Sequence, residues 1–347
     1  MNKKSQFQRS SIFLFGIFSI FFLLYSAFEG LATPELPQEN NPIILYSNDL
    51  SSDLRLTFVS AIQKAQKSIV LMVYSLTDPA ILQVLNQKAE AGIPVYLVLD
   101  KEASSSVFSS LSRKIQLVKR RGPGLMHYKV LVIDEASLFL GSANMTTRSL
   151  RTHGNLVLGF YDPKLALYFV RKAYQMNERL ETPKQEASSF VIGDQLVEIS
   201  LLPDDRLAVE KLIHLIKTAK KTIRVAMYTW TRRDFAEALK DASKRGVDVQ
   251  IVLDRSAARG SSKIAYHRLQ QLHLPVALSE GEPLLHYKMM IIDDEWLVNG
   301  SANWTQAAFN KNDDYFMVLH GLNPAQREQL KELWGVIEFE SFTEEAG

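Results

Sequence analysis

The sequence predicts an α/β protein assembled from two copies of one unit. Helical stretches alternate with short, almost wholly apolar runs of strand character, and this alternation recurs after about 154 residues. That period is too long for a solenoid, whose units are a few tens of residues. The copies match most closely in polar positions: each carries His-x-Lys-x4-Asp-x6-Gly-Ser-x-Asn. A repeat kept only for architecture would preserve apolar positions and turns instead.

The first 32 residues stand apart. Lys3, Lys4 and Arg9 precede an apolar run from Ile12 to Phe28, and Gly30-Leu31-Ala32 supplies small residues where a signal peptidase would read. That order predicts a signal peptide or N-terminal membrane anchor at 1–32, hence an exported or membrane-anchored protein. Residues 33–42, with three prolines, read as a linker. The first half is expected at 43–181, a polar linker at 182–189, and the second half at 190–347.

Each half opens on the end of an amphipathic helix that runs into a strand. Ala61 to Ile69 leads into Val70–Tyr74, and Leu215 to Ile223 into Arg224–Tyr228. Helices follow at Pro79–Ala91 and Asp234–Arg245, closed by Gly92 and Gly246 where a C-cap belongs. Second strands come next, Val95–Asp100 and Val249–Asp254. Their continuous apolar character predicts sheets covered on both faces.

Length and composition set the outer limits. A chain of 347 residues is long enough for two cores. Lys and Arg (40) barely exceed Asp and Glu (38), so net charge does not press for a nucleic-acid partner. With no cysteine, disulfides, thiolate metal sites and cysteine nucleophiles are excluded.

The paired motif carries the chemistry. Copy one is His127, Lys129, Asp134, Gly141, Ser142 and Asn144; copy two is His286, Lys288, Asp293, Gly300, Ser301 and Asn303. On a strand, residues two apart share a face, so His127 points with Lys129 and His286 with Lys288. Asp134 and Asp293 have the opposite parity and are expected to hold backbone rather than move protons. The Gly-Ser-x-Asn segments should sit at strand ends and offer hydroxyl, amide and backbone donors to an anion. Converging, two lysines, two serines and two asparagines would hold a phosphodiester and the extra charge of five-coordinate phosphorus. Two imidazoles would divide attack and proton transfer. The motif brings no carboxylate cluster for a metal, and no cofactor is expected.

These residues resemble the HKD signature of the phospholipase D superfamily, and the resemblance spans residues 43–340. It implies two α/β/α sandwich halves about a pseudo-twofold axis, one shared active site, a metal-independent reaction and a phosphohistidine intermediate. Members include phospholipases D, cardiolipin synthases and hydrolases, and endonucleases. They often carry an acidic residue eleven positions after the motif asparagine to orient the histidine. Copy two has Asp314 there; copy one has Asn155. Paired within its own copy, Asp314 would raise His286 and leave His127 neutral. That reading makes His127 the nucleophile and His286 the general acid/base, the usual family order.

Several other residues invite a role. Lys119, Arg120 and Arg121, Arg148 and Arg151, and Arg232, Arg233 and Arg255 form either a solvated face or a basic rim for an anionic substrate. Trp304 and Phe309 read as core, or as contacts for an acyl chain or base. Tyr74 and Tyr228 end equivalent strands beside the cleft. His153, His214, His267, His273 and His320 show no ligand spacing and read as structural.

The substrate read first is a phospholipid, its phosphatidyl group hydrolysed or transferred at a membrane surface by a monomer that carries both motifs. An endonuclease is the alternative, followed by a cardiolipin synthase-like transferase and a non-catalytic phosphate-binding module.

Overall fold

The computed structural model describes residues 34–176, 187–280 and 284–342. The first half contributes β1 (Ile43–Tyr46), β2 (Ile69–Val73), β3 (Val95–Asp100), β4 (Gln116–Arg120), β5 (Lys129–Ile133), β6 (Ser137–Gly141) and β7 (Val157–Tyr161). They form one mixed sheet in the order β1-β7-β6-β5-β2-β3-β4. The second half contributes β8 (Ser188–Ile192), β9 (Gln195–Leu202), β10 (Thr222–Met227), β11 (Asp248–Leu253), β12 (Val276–Leu278), β13 (Lys288–Ile292), β14 (Trp296–Gly300) and β15 (Asp314–His320). Their order is β12-β11-β10-β13-β14-β15-β9-β8.

The strand centres are built alike. β2 pairs in parallel with β3 and antiparallel with β5; β10 does the same with β11 and β13. In both, the motif lysine stands opposite the last residue of the leading strand, Val73 against Lys129 and Met227 against Lys288. The motif strands are therefore central, which accounts for their unbroken apolar runs.

Helices cover both faces of each sheet. Leu54–Lys64 and Pro79–Glu90 lie on the outer face of the first sheet, burying Phe58, Ile62, Ile81 and Leu85 with Leu71, Leu97 and Leu131. Asp53 caps the first helix and Asp78 the second, each through a backbone N–H of the opening turn. Ala208–Thr218 and Arg233–Lys244 cover the second sheet in the same way. Gly92 and Gly246, at φ 89° and 88°, end the paired helices in the left-handed conformation that glycine adopts without cost.

A third cluster joins the halves. Val70, Met72 and Val130 from one sheet pack with Val197, Met289 and Ile291 from the other. The helices Pro163–Gln175 and Pro324–Phe342 contribute Phe169, Leu333 and Trp334 to that same core. From Leu36 onward the chain is one compact unit. Two sheets, each with helices on its faces, give the expected pair of phospholipase D-like halves.

Some sequence boundaries move. The expected linker 182–189 runs into β8, which begins at Ser188, and 182–186 lie outside the described residues. Within the expected linker 33–42, Gln38 and Asn41 pair as a bridge.

The expectation of export or membrane anchoring is corrected. Among the described residues no helix is long and apolar enough to cross a membrane. The longest, Pro324–Phe342, carries Arg327, Glu328, Lys331, Glu332, Glu338 and Glu340 along its length. The segment on which the expectation rested, residues 1–32, lies outside the described residues.

Candidate active site

The two motif histidines are brought together by backbone pairing between the halves. Met126 bridges to Asp313, and Gly154 to Leu285. His127 N donates to Asp313 O at 2.8 Å, and His286 N donates to Gly154 O at 2.9 Å. Each histidine is thus anchored to the segment that follows the motif of the opposite copy. Tyr315 adds a further tie: its hydroxyl accepts from Gly141 N at 2.6 Å and lies 3.1 Å from the carbonyls of Lys129 and Gly141.

This crossing overturns the pairing read from the sequence. Asp314 does not partner His286 of its own copy. Its Oδ1 accepts from His127 Nδ1 at 3.0 Å, while His286 Nδ1 lies 2.9 Å from Asn155 Oδ1. A carboxylate only accepts, so His127 carries its proton on Nδ1. Asn155 Nδ2 donates to the carbonyls of Ser149 and His153, which turns Oδ1 toward His286 and fixes the same tautomer there. Among the described residues neither ring has a hydrogen-bond partner at Nε2, which is left as the free nitrogen.

The serines, expected to bind phosphate, have their hydroxyls engaged by internal partners. Ser142 and Ser301 are fully buried. Ser142 Oγ donates to Asn155 Oδ1 at 2.8 Å and Ser301 Oγ to Asp314 Oδ1 at 2.5 Å, while each accepts from the next backbone N–H, Leu156 or Tyr315. Their hydroxyls hold the residues that hold the histidines. Gly141 and Gly300 make this possible: a Cβ at either would stand 2.2 Å from Leu156 O or 2.5 Å from Tyr315 O.

Asn144 and Asn303 are partly exposed. Asn303 Oδ1 accepts from Thr229 N at 3.3 Å, and no partner within hydrogen-bonding reach of the Asn144 or Asn303 Nδ2 is found among the described residues. These amides keep donors for a ligand. Asp134 and Asp293 stand at the far ends of β5 and β13, about 20 Å along the strand from the histidines. Asp134 accepts from Gln66, Lys67 and Ser68 N, and Asp293 from Lys220, Lys221 and Thr222 N. Both lie near φ 55° in the turn after the strand, at 56° and 53°. Each therefore pins the helix-to-strand junction that opens its half.

The lysines converge between the histidines. Lys129 Nζ donates to His127 O at 2.8 Å and Lys288 Nζ to His286 O at 2.6 Å, and both side chains are buried. Tyr74 and Tyr228 lie under the two ammonium groups, 5.4 and 5.0 Å from Nζ to ring centroid. Their rings also meet the imidazoles of His127 and His286, at 5.3 and 4.9 Å.

Burial dominates the electrostatics. It brings Lys129 down to about 7, with Asp314 and Asp100 partly opposing. Lys288 is held well below the usual lysine range by burial and then by Lys129. Burial also lowers His127, although Asp314 pushes it back up. Among the described residues His286 has no carboxylate partner; burial, Lys288, Lys129, His127 and His153 all hold it well below an ordinary imidazole. Mutual repulsion of these groups describes a site short of negative charge, which an oxyanion would supply.

The other sequence candidates take different places. Arg120 is buried on Asp313, and Arg232 pairs with Asp234 and stacks over Phe235 and Phe309. Trp304 and Phe309 belong to the core of the second half. Arg121, Arg148, Arg151 and Arg233 remain exposed. Among the described residues no group of three His, Cys, Asp or Glu is arranged to hold a metal ion. His153, read as structural, stands beside His286, with ring centroids 6.1 Å apart. Its lack of metal-ligand spacing hid it, because only the crossed pairing brings residue 153 to residue 286.

Comparison with known proteins agrees with this architecture. A family model described as the PLD-like domain of cardiolipin synthase matches residues 58–176 and again 212–334. The chain belongs to the phospholipase D superfamily, whose members are phosphodiesterases acting as hydrolases or transferases. It is 35% identical over 105 residues to a phospholipase D of Rickettsia bellii, an alignment covering 30% of this chain and 51% of the relative. It is 27% identical over 322 residues to a cardiolipin synthase of Halalkalibacterium halodurans, covering 79% of this chain and 63% of the relative. The chain thus spans less than two thirds of either relative. Phosphatidylserine synthase of Haemophilus influenzae superposes with a TM-score of 0.67 over 88% of each chain, at 13% identity, a likeness of fold.

Proposed function

We propose that the chain is a phospholipase D-type phosphodiesterase that hydrolyses or transfers phosphatidyl groups through a phosphohistidine, with no metal in the chemical step. The observation that carries this reading is the crossed pair of imidazoles, both with Nδ1 held and Nε2 free, beside two buried lysines.

His127 Nε2 attacks phosphorus. The bond from phosphorus to the leaving alcohol breaks as protonated His286 gives that oxygen its proton. Water or an acceptor alcohol then attacks phosphorus, His286 takes the acceptor's proton, and the P–N bond breaks to free His127. Lys129 and Lys288, with the amides of Asn144 and Asn303, hold the non-bridging oxygens and the charge that grows on them. A bound oxyanion draws protons onto the depressed lysines and onto His286, so the site is charged for chemistry when substrate fills it.

The division of labour keeps the order expected from sequence but on a different ground. Asp314 faces His127, where its carboxylate stabilises the cationic phosphoimidazole. Asn155 faces His286 and leaves its imidazolium the readier donor. A monomer suffices, because both copies of the motif lie in one chain.

Relatives named for phospholipase D and cardiolipin synthesis favour a lipid substrate. So does the basic rim, which spends Arg120 and Arg232 on internal pairs rather than on a continuous nucleic-acid track. The test is the purified full-length chain with chelator on labelled phosphatidylcholine, cardiolipin and single-stranded DNA. Lipid turnover without nucleolysis is expected; nucleolysis without lipid turnover contradicts the substrate, and binding without turnover contradicts catalysis.

A further inference from the structure

His153 occupies the position at which the two sides of the site differ most. It precedes Asn155 by two residues, and its counterpart in the second copy is Asn312, two residues before Asp314. Asn312 is buried and spends its amide on the protein: Oδ1 accepts from Leu125 N at 3.1 Å, and Nδ2 reaches Asp314 Oδ2 at 3.5 Å. His153 is instead half-buried, with its ring tilted 54° to that of His286 at 6.1 Å. Its backbone is fixed in that place. The amide donates to Arg148 O at 3.1 Å, and the carbonyl accepts from Asn155 Nδ2 at 3.2 Å. Asn155 is the residue that receives His286 Nδ1, so residue 153 is joined to His286 both through space and through a shared partner.

We infer that His153 is a positioning residue of the site, a third imidazole at the rim whose charge acts on His286 through space; this rests on the acid–base role proposed for His286. An imidazole changes charge between about pH 5 and 8, and a cation nearby disfavours a second one. The groups that face His286 are Lys288, Lys129, His127 and His153, with the ring of Tyr228 against it. Asp254 holds Leu285 N just before it, and Asp314 stands across the cleft on His127. Arg148 and Arg151 lie on the short helix leading to His153. Within this field of cations, a charged His153 makes the imidazolium of His286 a stronger acid for the leaving group. A neutral His153 leaves His286 a better base toward the acceptor.

The test is His153→Asn, the residue the chain itself uses at the equivalent place, in the full-length protein. Histidine titrations are followed by NMR, with His127 and His286 assigned through their own variants, and kcat/KM is recorded against pH. The His286 titration should move up while that of His127 stays in place, and the limb of the profile set by His286 should move in the same direction. His153→Lys, charged throughout the range, should hold His286 low. An unmoved His286 titration in His153→Asn, or equal movement of both histidines, overturns the inference. A shifted titration with an unchanged profile upholds the influence of His153 and instead defeats the acid–base role of His286.

Discussion

The His127 side and the His286 side of the cleft descend from one pattern and are held by different chemistry. Both imidazoles are buried, both present Nε2, and each is oriented by a residue of the opposite copy. On the first side that residue is a carboxylate, Asp314, backed by Ser301 and by the neighbouring Arg120–Asp313 ion pair. On the second it is an amide, Asn155, backed by Ser142, with Gly154 where Asp313 stands opposite. In the proposed reaction the first side stabilises a positive ring and the second releases a proton from one. The three residues that carry the orienting groups differ throughout, His153-Gly154-Asn155 against Asn312-Asp313-Asp314, and the proposed division into two unlike steps rests on that difference.

The largest expected effect separates the histidines. His127→Ala should lose activity by at least about 10^4-fold on every substrate. His286→Ala should lose about 10^2–10^4-fold on ordinary esters. With a phosphodiester whose leaving group needs no proton, such as a nitrophenyl ester, His286→Ala should recover the first step and accumulate phosphoenzyme. Equal loss in both variants on that ester would erase the proposed division.

Exchanging the orienting groups comes next. Asp314→Asn should cost about 10^2–10^3-fold in kcat, because the cationic intermediate loses its counter-charge. Asn155→Asp should change kcat by about tenfold or less, because it orients the same tautomer. A carboxylate there raises His286, so the His286 limb of the pH profile should move to higher pH. Movement to lower pH would contradict the crossed pairing.

The lysines test the electrostatics. Lys129→Met should cost about 10^2–10^3-fold in rate yet stabilise the fold by about 1–3 kcal/mol, by removing a buried cation. The sign with pH follows from Lys129 standing near 7 when folded, against about 10.4 when unfolded. Between those values the unfolded chain binds more protons, so stability rises with pH from about 7 to 10 and the cost is full below 7. Denaturant titrations should show this rise flattened in Lys129→Met. His127 and His286, also lowered by burial, should take stability away as pH falls below about 6.5.

The smallest effect concerns the serines. Ser142→Ala and Ser301→Ala should each lower kcat about tenfold and stability by about 1 kcal/mol, with little change in affinity for inorganic phosphate. A selective loss of phosphate affinity would return the hydroxyls to the binding site.

The fold and the His/Lys pairs were legible because their signals are local. Strand parity placed His127 with Lys129 and turned Asp134 away, and period and capping placed the paired helices. What escaped was long-range. Nothing near Asp314 indicates that it serves a histidine 187 residues away rather than its own motif. The same crossing brought His153 to His286, whereas the serines are engaged within their own copies, by Asn155 and Asp314 thirteen residues on. Adjacency in a repeat invites pairing within the copy, whereas here the histidines take their orienting groups from the opposite copy.

The central claim is an asymmetric site in which His127 becomes phosphorylated. It is tested most directly by quenching the enzyme in alkaline denaturant, where a phosphorus–nitrogen bond survives, during turnover of labelled substrate and mapping the label by peptide at alkaline pH. Label confined to the peptide containing His127, and lost in His127→Ala, is the predicted result. Label on His286 would contradict it.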